Sequence, residues 1–271
     1  METLRRLHRL PRLALHLLLG VLLNLLYLRH VRDGIPDRRF RRLRRWWLRG
    51  VCRHLGLDVR VHGTALASPA LWVANHVSWL DIPVVGGQAE VGFLSKAEVR
   101  RWPVIGWLAA HSGTLFIQRG RHTARHVAEL IARHIRAGHS VLVFPEARTT
   151  RGDEVRRFYP RLFAPAVEHG LPVQPVAIRY LDRHGRPDPA VPFVGEQSFL
   201  GNLWRVAGRP RLRVELHFLP PLAGDGFGER RALAEAAERA VRAAVTGAPQ
   251  PASSAAGGSG GSATQGQRNT R

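Results

Sequence analysis

Hydrophobic positions fall into three regimes along the chain. Residues 13–28, LALHLLLGVLLNLLYL, form an apolar run of 16 residues, broken only by His16 and Asn24 and bracketed by Arg12 and Arg29. A spanning helix needs about 20 apolar residues, so the run predicts a helix that crosses a bilayer marginally or lies partly embedded in it. A cleaved secretion signal fits less well, because no small-residue cleavage site follows and Arg29-His30-Val31-Arg32 come next. Gly34 and Pro36 then break the chain. Residues 38–55, RRFRRLRRWWLRGVCRHL, set Phe40, Leu43, Trp46, Trp47, Val51 and Leu55 at helical spacing, with Arg on the remaining faces. That pattern predicts an interfacial amphipathic helix, with an ordinary surface helix as the competing reading. Together the two segments predict a two-helix membrane anchor over residues 1–56.

From residue 57 the pattern changes to short β-like runs: Asp58–His62, Ala70–Ala74, Val91–Ser95, Thr114–Ile117, Ser140–Phe144, Val173–Tyr180 and Arg211–Phe218. Helical periodicity intervenes at Ala124–Ala137, where Val127, Leu130, Ile131 and Ile135 share a face, and again at Arg161–His169 and Arg230–Val245. Such alternation predicts an α/β fold, a mostly parallel or mixed sheet flanked by helices, over residues 57–246. In such sheets reactive residues collect beyond the carboxyl ends of strands. Residues 247–271 are rich in Gly, Ser and Ala with no apolar period, and read as a disordered tail.

Composition sharpens this picture. With 45% hydrophobic residues over 271 positions, the chain can build one sizeable core. The formal net charge is +21, and residues 1–60 hold 15 Arg against 4 acids. Such an excess beside the most apolar segment fits an anionic membrane surface better than a nucleic-acid groove, so no nucleic-acid partner is expected. Lys96 is the only lysine in an Arg-dominated chain, a hint that position 96 wants an ammonium group. Cys52 is the only cysteine, which excludes an intrachain disulfide and a cysteine zinc cluster and suits a reducing, cytosol-facing location.

The candidate chemistry lies in ALWVANHVSWLDIP. Ala70–Ala74 reads as a buried strand, Asn75-His76 falls at its end, and Trp79-Leu80-Asp81 opens a helix. On one straight helix His76 and Asp81 would point about 140° apart. Across a strand–turn–helix junction they can converge, with the carboxylate on one ring nitrogen and the other free to take a proton. This is the outer part of a catalytic triad, with the nucleophile left to the substrate. Ser78 is a competing nucleophile, but no Gly-x-Ser-x-Gly elbow surrounds it. A metal site lacks the paired-His spacing that would support it, so no metal is expected. A non-catalytic, Arg-rich membrane-surface or RNA-binding protein remains as a reading from another class.

Asn75-His76 followed by Asp81 resembles the Asn-His-x4-Asp motif of the glycerolipid acyltransferases, the family of bacterial 1-acylglycerol-3-phosphate acyltransferases. Gly113-Thr114-Leu115-Phe116-Ile117-Gln118-Arg119 resembles the family's second motif, Phe144-Pro145-Glu146-Ala147-Arg148-Thr149 its third, and Leu171-Pro172-Val173-Gln174-Pro175-Val176 its fourth. Four blocks in order over residues 58–220 make the resemblance specific. It implies that His76, oriented by Asp81, is the general base for an acceptor hydroxyl. It implies that Arg119, beside Phe116, binds the acceptor's phosphate, and that Glu146 holds the acceptor or the site's loops. Lys96 would add positive charge near an anionic head group. The implied acceptor is lysophosphatidic acid, giving phosphatidic acid in phospholipid synthesis, with lyso-ornithine lipid or another lysolipid as the alternative. The donor would be acyl-ACP or acyl-CoA, with no cofactor, at the cytoplasmic face of the inner membrane.

The third motif departs from the family pattern. Ala147 stands where Gly is usual and Arg148 where Thr is usual. Ala in a left-handed conformation would cost about 1 kcal/mol or more. Ala147 still carries a backbone N–H suited to an oxyanion, and Arg148 becomes a further candidate for the acceptor's anionic group, with Arg151 competing.

Overall fold

The computed structural model describes residues 1–27, 31–32, 35–117 and 124–247. The elements run α1 (Glu2–Tyr27), β1 (Val31–Arg32), β2 (Ile35–Pro36), α2 (Arg38–Leu55), β3 (Leu57–His62), β4 (Leu71–Ala74), α3 (Asp81–Gln88) and β5 (Val91–Lys96). They continue α4 (Ile105–His111), β6 (Leu115–Ile117), α5 (Ala124–Arg136), β7 (Ser140–Val143), α6 (Ala164–His169), β8 (Val173–Leu181), α7 (Phe199–Gly208), β9 (Leu212–Phe218) and α8 (Arg230–Thr246). The seven predicted strands are all present, each end within one residue of expectation.

Seven strands form one sheet in the order β3-β9-β8-β4-β7-β5-β6. The run from β8 to β6 is parallel, while β9 pairs antiparallel with β8 and parallel with β3. The sheet is therefore mixed. All carboxyl ends of the parallel part lie along one edge, with β4 central.

Strand β4 shows how the core divides. Trp72 and Ala74 join the buried cluster of Val51, Leu55, Val84 and Val206, from α2, α3 and α7. Leu71 and Val73 join the opposite cluster of Ile131, Phe163, Leu233 and Val241, which includes residues of α5 and α8. Alternate residues of a strand point to opposite faces, so a strand covered on both sides reads as a continuous apolar run. The helices α4 and α7 escape the sequence reading because they are short and α7 carries Gly201 and Gly208.

The two helices of the N-terminal segment pack on each other and on the rest of the fold. Helix α1 begins at Glu2, well before the apolar run. His16 and Asn24, the polar interruptions, are on its buried side with Leu13 and Gly20. His16 stacks on Trp47 with ring centroids 5.5 Å apart and planes 7° apart, and Trp47 Nε1 donates to His16 O at 2.9 Å. Gly20 leaves room for that ring, since a Cβ there would meet Trp47 at 2.6 Å. Helix α2 buries Phe40, Leu48, Val51, Cys52 and Leu55 in the protein, leaving Trp46 as its one large exposed apolar residue. The apolar stripe of α2 thus packs on α3 and the sheet. The outward side of α1 instead carries Leu4, Leu7, Leu15, Leu18, Leu22, Leu25 and Leu26. By length and composition α1 is the one described helix able to cross a membrane.

Candidate active site

The site is built where β4 ends. Asn75 extends the ladder with its side chain: Nδ2 donates to Ile178 O at 2.9 Å, and Oδ1 accepts from Ile178 N at 2.8 Å. The chain then turns through His76–Leu80 into α3, whose first residue is Asp81. This junction brings the two side chains together, with His76 Nδ1 2.7 Å from Asp81 Oδ2. The same oxygen accepts from Val77 N at 2.8 Å and Ser78 N at 3.1 Å, and Oδ1 accepts from Tyr180 Oη at 2.8 Å. Asp81 is fully buried. Its charge is therefore stabilised by donors rather than water, the condition under which buried charges are tolerated. Burial and the adjacent Asp81 push the Tyr180 phenol well above its ordinary pKa, so it stays protonated and donating.

The His76 ring stacks on Phe144, with centroids 4.0 Å apart. Its backbone is pinned from the third motif: His76 N donates to Glu146 Oε1 at 2.8 Å, and His76 O accepts from Thr150 N at 2.8 Å. With Nδ1 held by a carboxylate, Nε2 is the ring nitrogen left over, on a side chain that is only partly buried. An imidazole so held can accept a proton and keep the resulting charge. Ser78, the rival nucleophile, is fully buried and has no access to a substrate.

A family model for acyltransferases matches residues 58–179. A lyso-ornithine lipid O-acyltransferase of Pseudomonas aeruginosa is 47% identical over 210 residues, which cover 78% of this chain and 81% of the relative. The chain belongs to the acyltransferase family. A 1-acyl-sn-glycerol-3-phosphate acyltransferase of Neisseria meningitidis is 32% identical, over 80% of this chain and 86% of its own. The crystal structure of the 1-acyl-sn-glycerophosphate acyltransferase of Thermotoga maritima shares the fold, with a TM-score of 0.55 and 23% identity over 88% of this chain and 96% of the other.

In this acyltransferase the remaining candidates spread along the same sheet edge. Glu146 follows β7, beside β4. Lys96 is the exposed last residue of β5, and the half-buried Phe116 lies in β6 opposite Ser95. Arg119, the expected phosphate ligand, lies outside the described residues. Arg148 and Arg151 are exposed on the loop that carries Glu146.

Glu146 itself is nearly buried, and its two oxygens accept from His76 N and Arg156 N, each at 2.8 Å. It braces two loops. Burial raises its pKa to about 7, against the two backbone donors that lower it. A folded-state pKa above the unfolded value of 4.5 means the native state holds the extra proton between those limits. Stability relative to Glu146→Gln is therefore expected to fall as pH rises from about 4.5 to about 7 and to level off above. Urea midpoints of both proteins across that range check this, and parallel curves would refute it.

Ala147 adopts φ 58°, the left-handed conformation expected where the family has Gly. Its N–H donates to Phe144 O at 3.1 Å, which removes it as the expected oxyanion donor. Left-handed Ala costs about 1–2 kcal/mol, and Gly returns about 0.4–1 of that to the unfolded chain. Ala147→Gly should therefore raise stability by up to about 1 kcal/mol in thermal melts. Asn75 and Phe144 stand in the motifs without an assigned role, and nothing in the local sequence marks Tyr180 or Thr150 as part of the site. The fourth block, Leu171–Val176, stopped just short of the Tyr180 it leads to.

Proposed function

We propose that this enzyme esterifies the free hydroxyl of a lyso-ornithine lipid with a fatty acyl chain taken from a carrier thioester. The observation that supports this acceptor over the lysophosphatidic acid first expected is the 47% identity to the P. aeruginosa lyso-ornithine lipid enzyme across four-fifths of its length. Two features fit it. The third motif carries Arg148 in place of the usual Thr, on the exposed turn beside Glu146. A guanidinium there suits the carboxylate that ornithine offers, because its fork matches a carboxylate in two parallel hydrogen bonds.

In the proposed mechanism His76 Nε2 takes the hydroxyl proton as the acceptor oxygen attacks the thioester carbonyl. Asp81 steadies the imidazolium that forms. The tetrahedral oxyanion collapses, the C–S bond breaks, and the imidazolium gives its proton to the departing thiolate. The products are an ester and a free thiol. Either acyl-ACP or acyl-CoA supplies the acyl group. The exposed leucines of α1 and the basic N-terminal region support work at an anionic leaflet, which for a carrier thioester is the cytoplasmic face of the inner membrane.

Lysophosphatidic acid stands as the second reading, favoured by the N. meningitidis relative. Purified enzyme in detergent, offered both acceptors with acyl-ACP and with acyl-CoA, separates the two. We expect kcat/KM for lyso-ornithine lipid to exceed that for lysophosphatidic acid by tenfold or more, as roughly expected when a site pairs with one polar head group and not the other. The reverse preference would reassign the enzyme to phosphatidic acid formation and return Arg119 to the centre of acceptor binding.

A further inference from the structure

A second cationic feature lies away from the catalytic loops, where the first half of α1 crosses the C-terminal end of α2. A cavity of about 650 Å³ opens there, lined by Arg5, His8, Arg9 and Arg12 of α1 and by Arg53 and His54 of α2. None of its lining residues is a carboxylate. Arg9 is fastened by backbone oxygens, donating to Ala207 O at 3.2 Å, Arg209 O at 2.6 Å and Pro210 O at 2.7 Å. Arg5 donates to Gly208 O at 3.3 Å, and Arg12 reaches the His8 ring. Arg5 and Arg9 are thus held at the end of α7, and no carboxylate lines the recess they share. Guanidiniums gathered in a recess repel one another, and an anion with several oxygens relieves that repulsion while matching their fork geometry.

What adjoins the cavity indicates which anion. Leu4 lines it, and the same stripe of α1 continues as His8, Arg12, Leu15, Leu19, Leu22 and Leu26 at spacings of three and four. Leu4, Leu15, Leu19, Leu22 and Leu26 are exposed. One stripe of the helix therefore passes from cationic recess to bare leucine. A free phosphate would have no use for the leucines, and the flat acidic surface of a carrier protein would not fill a recess.

We propose that this cavity binds the phosphodiester head group of an anionic phospholipid, with the lipid's acyl chains remaining in the bilayer against the leucine stripe. The site rests on the membrane location proposed above but not on the acceptor. It makes residence at the membrane depend on lipid charge at one place rather than on the diffuse surplus of arginine.

The test compares flotation of the full-length protein with vesicles of phosphatidylcholine alone and of phosphatidylcholine with phosphatidylglycerol. Arg12→Gln/Arg53→Gln empties the recess of two charges, and Arg38→Gln/Arg39→Gln removes two exposed charges at the far end of α2. Each arginine near an anionic surface contributes enough that the recess variant should lose roughly tenfold or more in binding to the charged vesicles. The control should lose clearly less than the recess variant, because its arginines do not gather on one head group, with turnover of detergent-dispersed substrate unchanged in both, showing that they fold. Equal losses would overturn the site in favour of diffuse attraction. Thermal stabilisation by inorganic phosphate at matched ionic strength, without preference for charged vesicles, would assign the recess to a free anion and overturn the lipid. A raised KM for acyl-ACP with vesicle binding intact would give it to the carrier protein, with the same consequence. Wild type that floats with neither vesicle would sink the membrane location itself, whereas binding to both equally would sink only this site.

Discussion

His76→Ala is expected to lower turnover by about 10²–10⁴-fold, the usual contribution of a positioned general base. The loss should fall on kcat, because the imidazole acts on the hydroxyl proton rather than on the bulk of either lipid. The substitution should spare the fold. The His76 backbone is held by Glu146 and Thr150 through its own N–H and C=O, and neither bond involves the ring. The neighbouring Phe144 loses a stacking partner on a half-open face, a modest change in packing. Thiol release followed with an acyl thioester and purified variant decides the matter. Turnover within a few-fold of wild type, with circular dichroism unchanged, would remove His76 from the mechanism.

Asp81→Asn should have the next largest effect, and the surrounding donors make it informative. Asp81 Oδ2 serves His76, Val77 and Ser78, while Oδ1 serves Tyr180 alone. An asparagine can keep its carbonyl toward the first three and turn its amide toward Tyr180, whose hydroxyl can accept as well as donate. Geometry and the histidine tautomer then survive while the charge is lost. The expected outcome is a fall in kcat of about 10²-fold or more, from the lost support of the imidazolium, with little change in melting temperature. Tyr180→Phe provides the contrast. It keeps the carboxylate but removes one hydrogen bond to a buried charge, about 1.5–3 kcal/mol of stabilisation of the ionised form. That should weaken the support Asp81 gives the imidazolium and lower kcat several-fold, with KM little changed. A Tyr180→Phe kcat equal to that of wild type would show that Tyr180 serves packing only.

The meeting of His76 and Asp81 was legible because it depends on local sequence. Asn75-His76 at a strand end and Asp81 at a helix start are five residues of chain apart, so the motif itself carries their meeting. Strand positions were legible for the same reason: β4 and β7 are buried on both faces and read as unbroken apolar runs. The N-terminal segment was not. Its apolar content was plain, but which side of each helix faces protein was not, because burial against α3 and insertion into lipid select the same residues in α2. His16 and Asn24 looked like flaws in a membrane helix and are the side of α1 that meets α2.

By itself the sequence determined the α/β architecture, the placement of seven strands, the His76–Asp81 pair and the acyltransferase family, since each is written in short-range pattern. The tertiary structure alone decided that Glu146 braces the His76 loop, that Tyr180 completes the donors around Asp81, that Ala147 is left-handed with its N–H already used, and that arginines from two helices close one recess. Those partners lie 70 residues apart for Glu146 and His76 and 99 for Tyr180 and Asp81. Contacts at such separation follow from the order of strands in the sheet, and no local periodicity encodes that order.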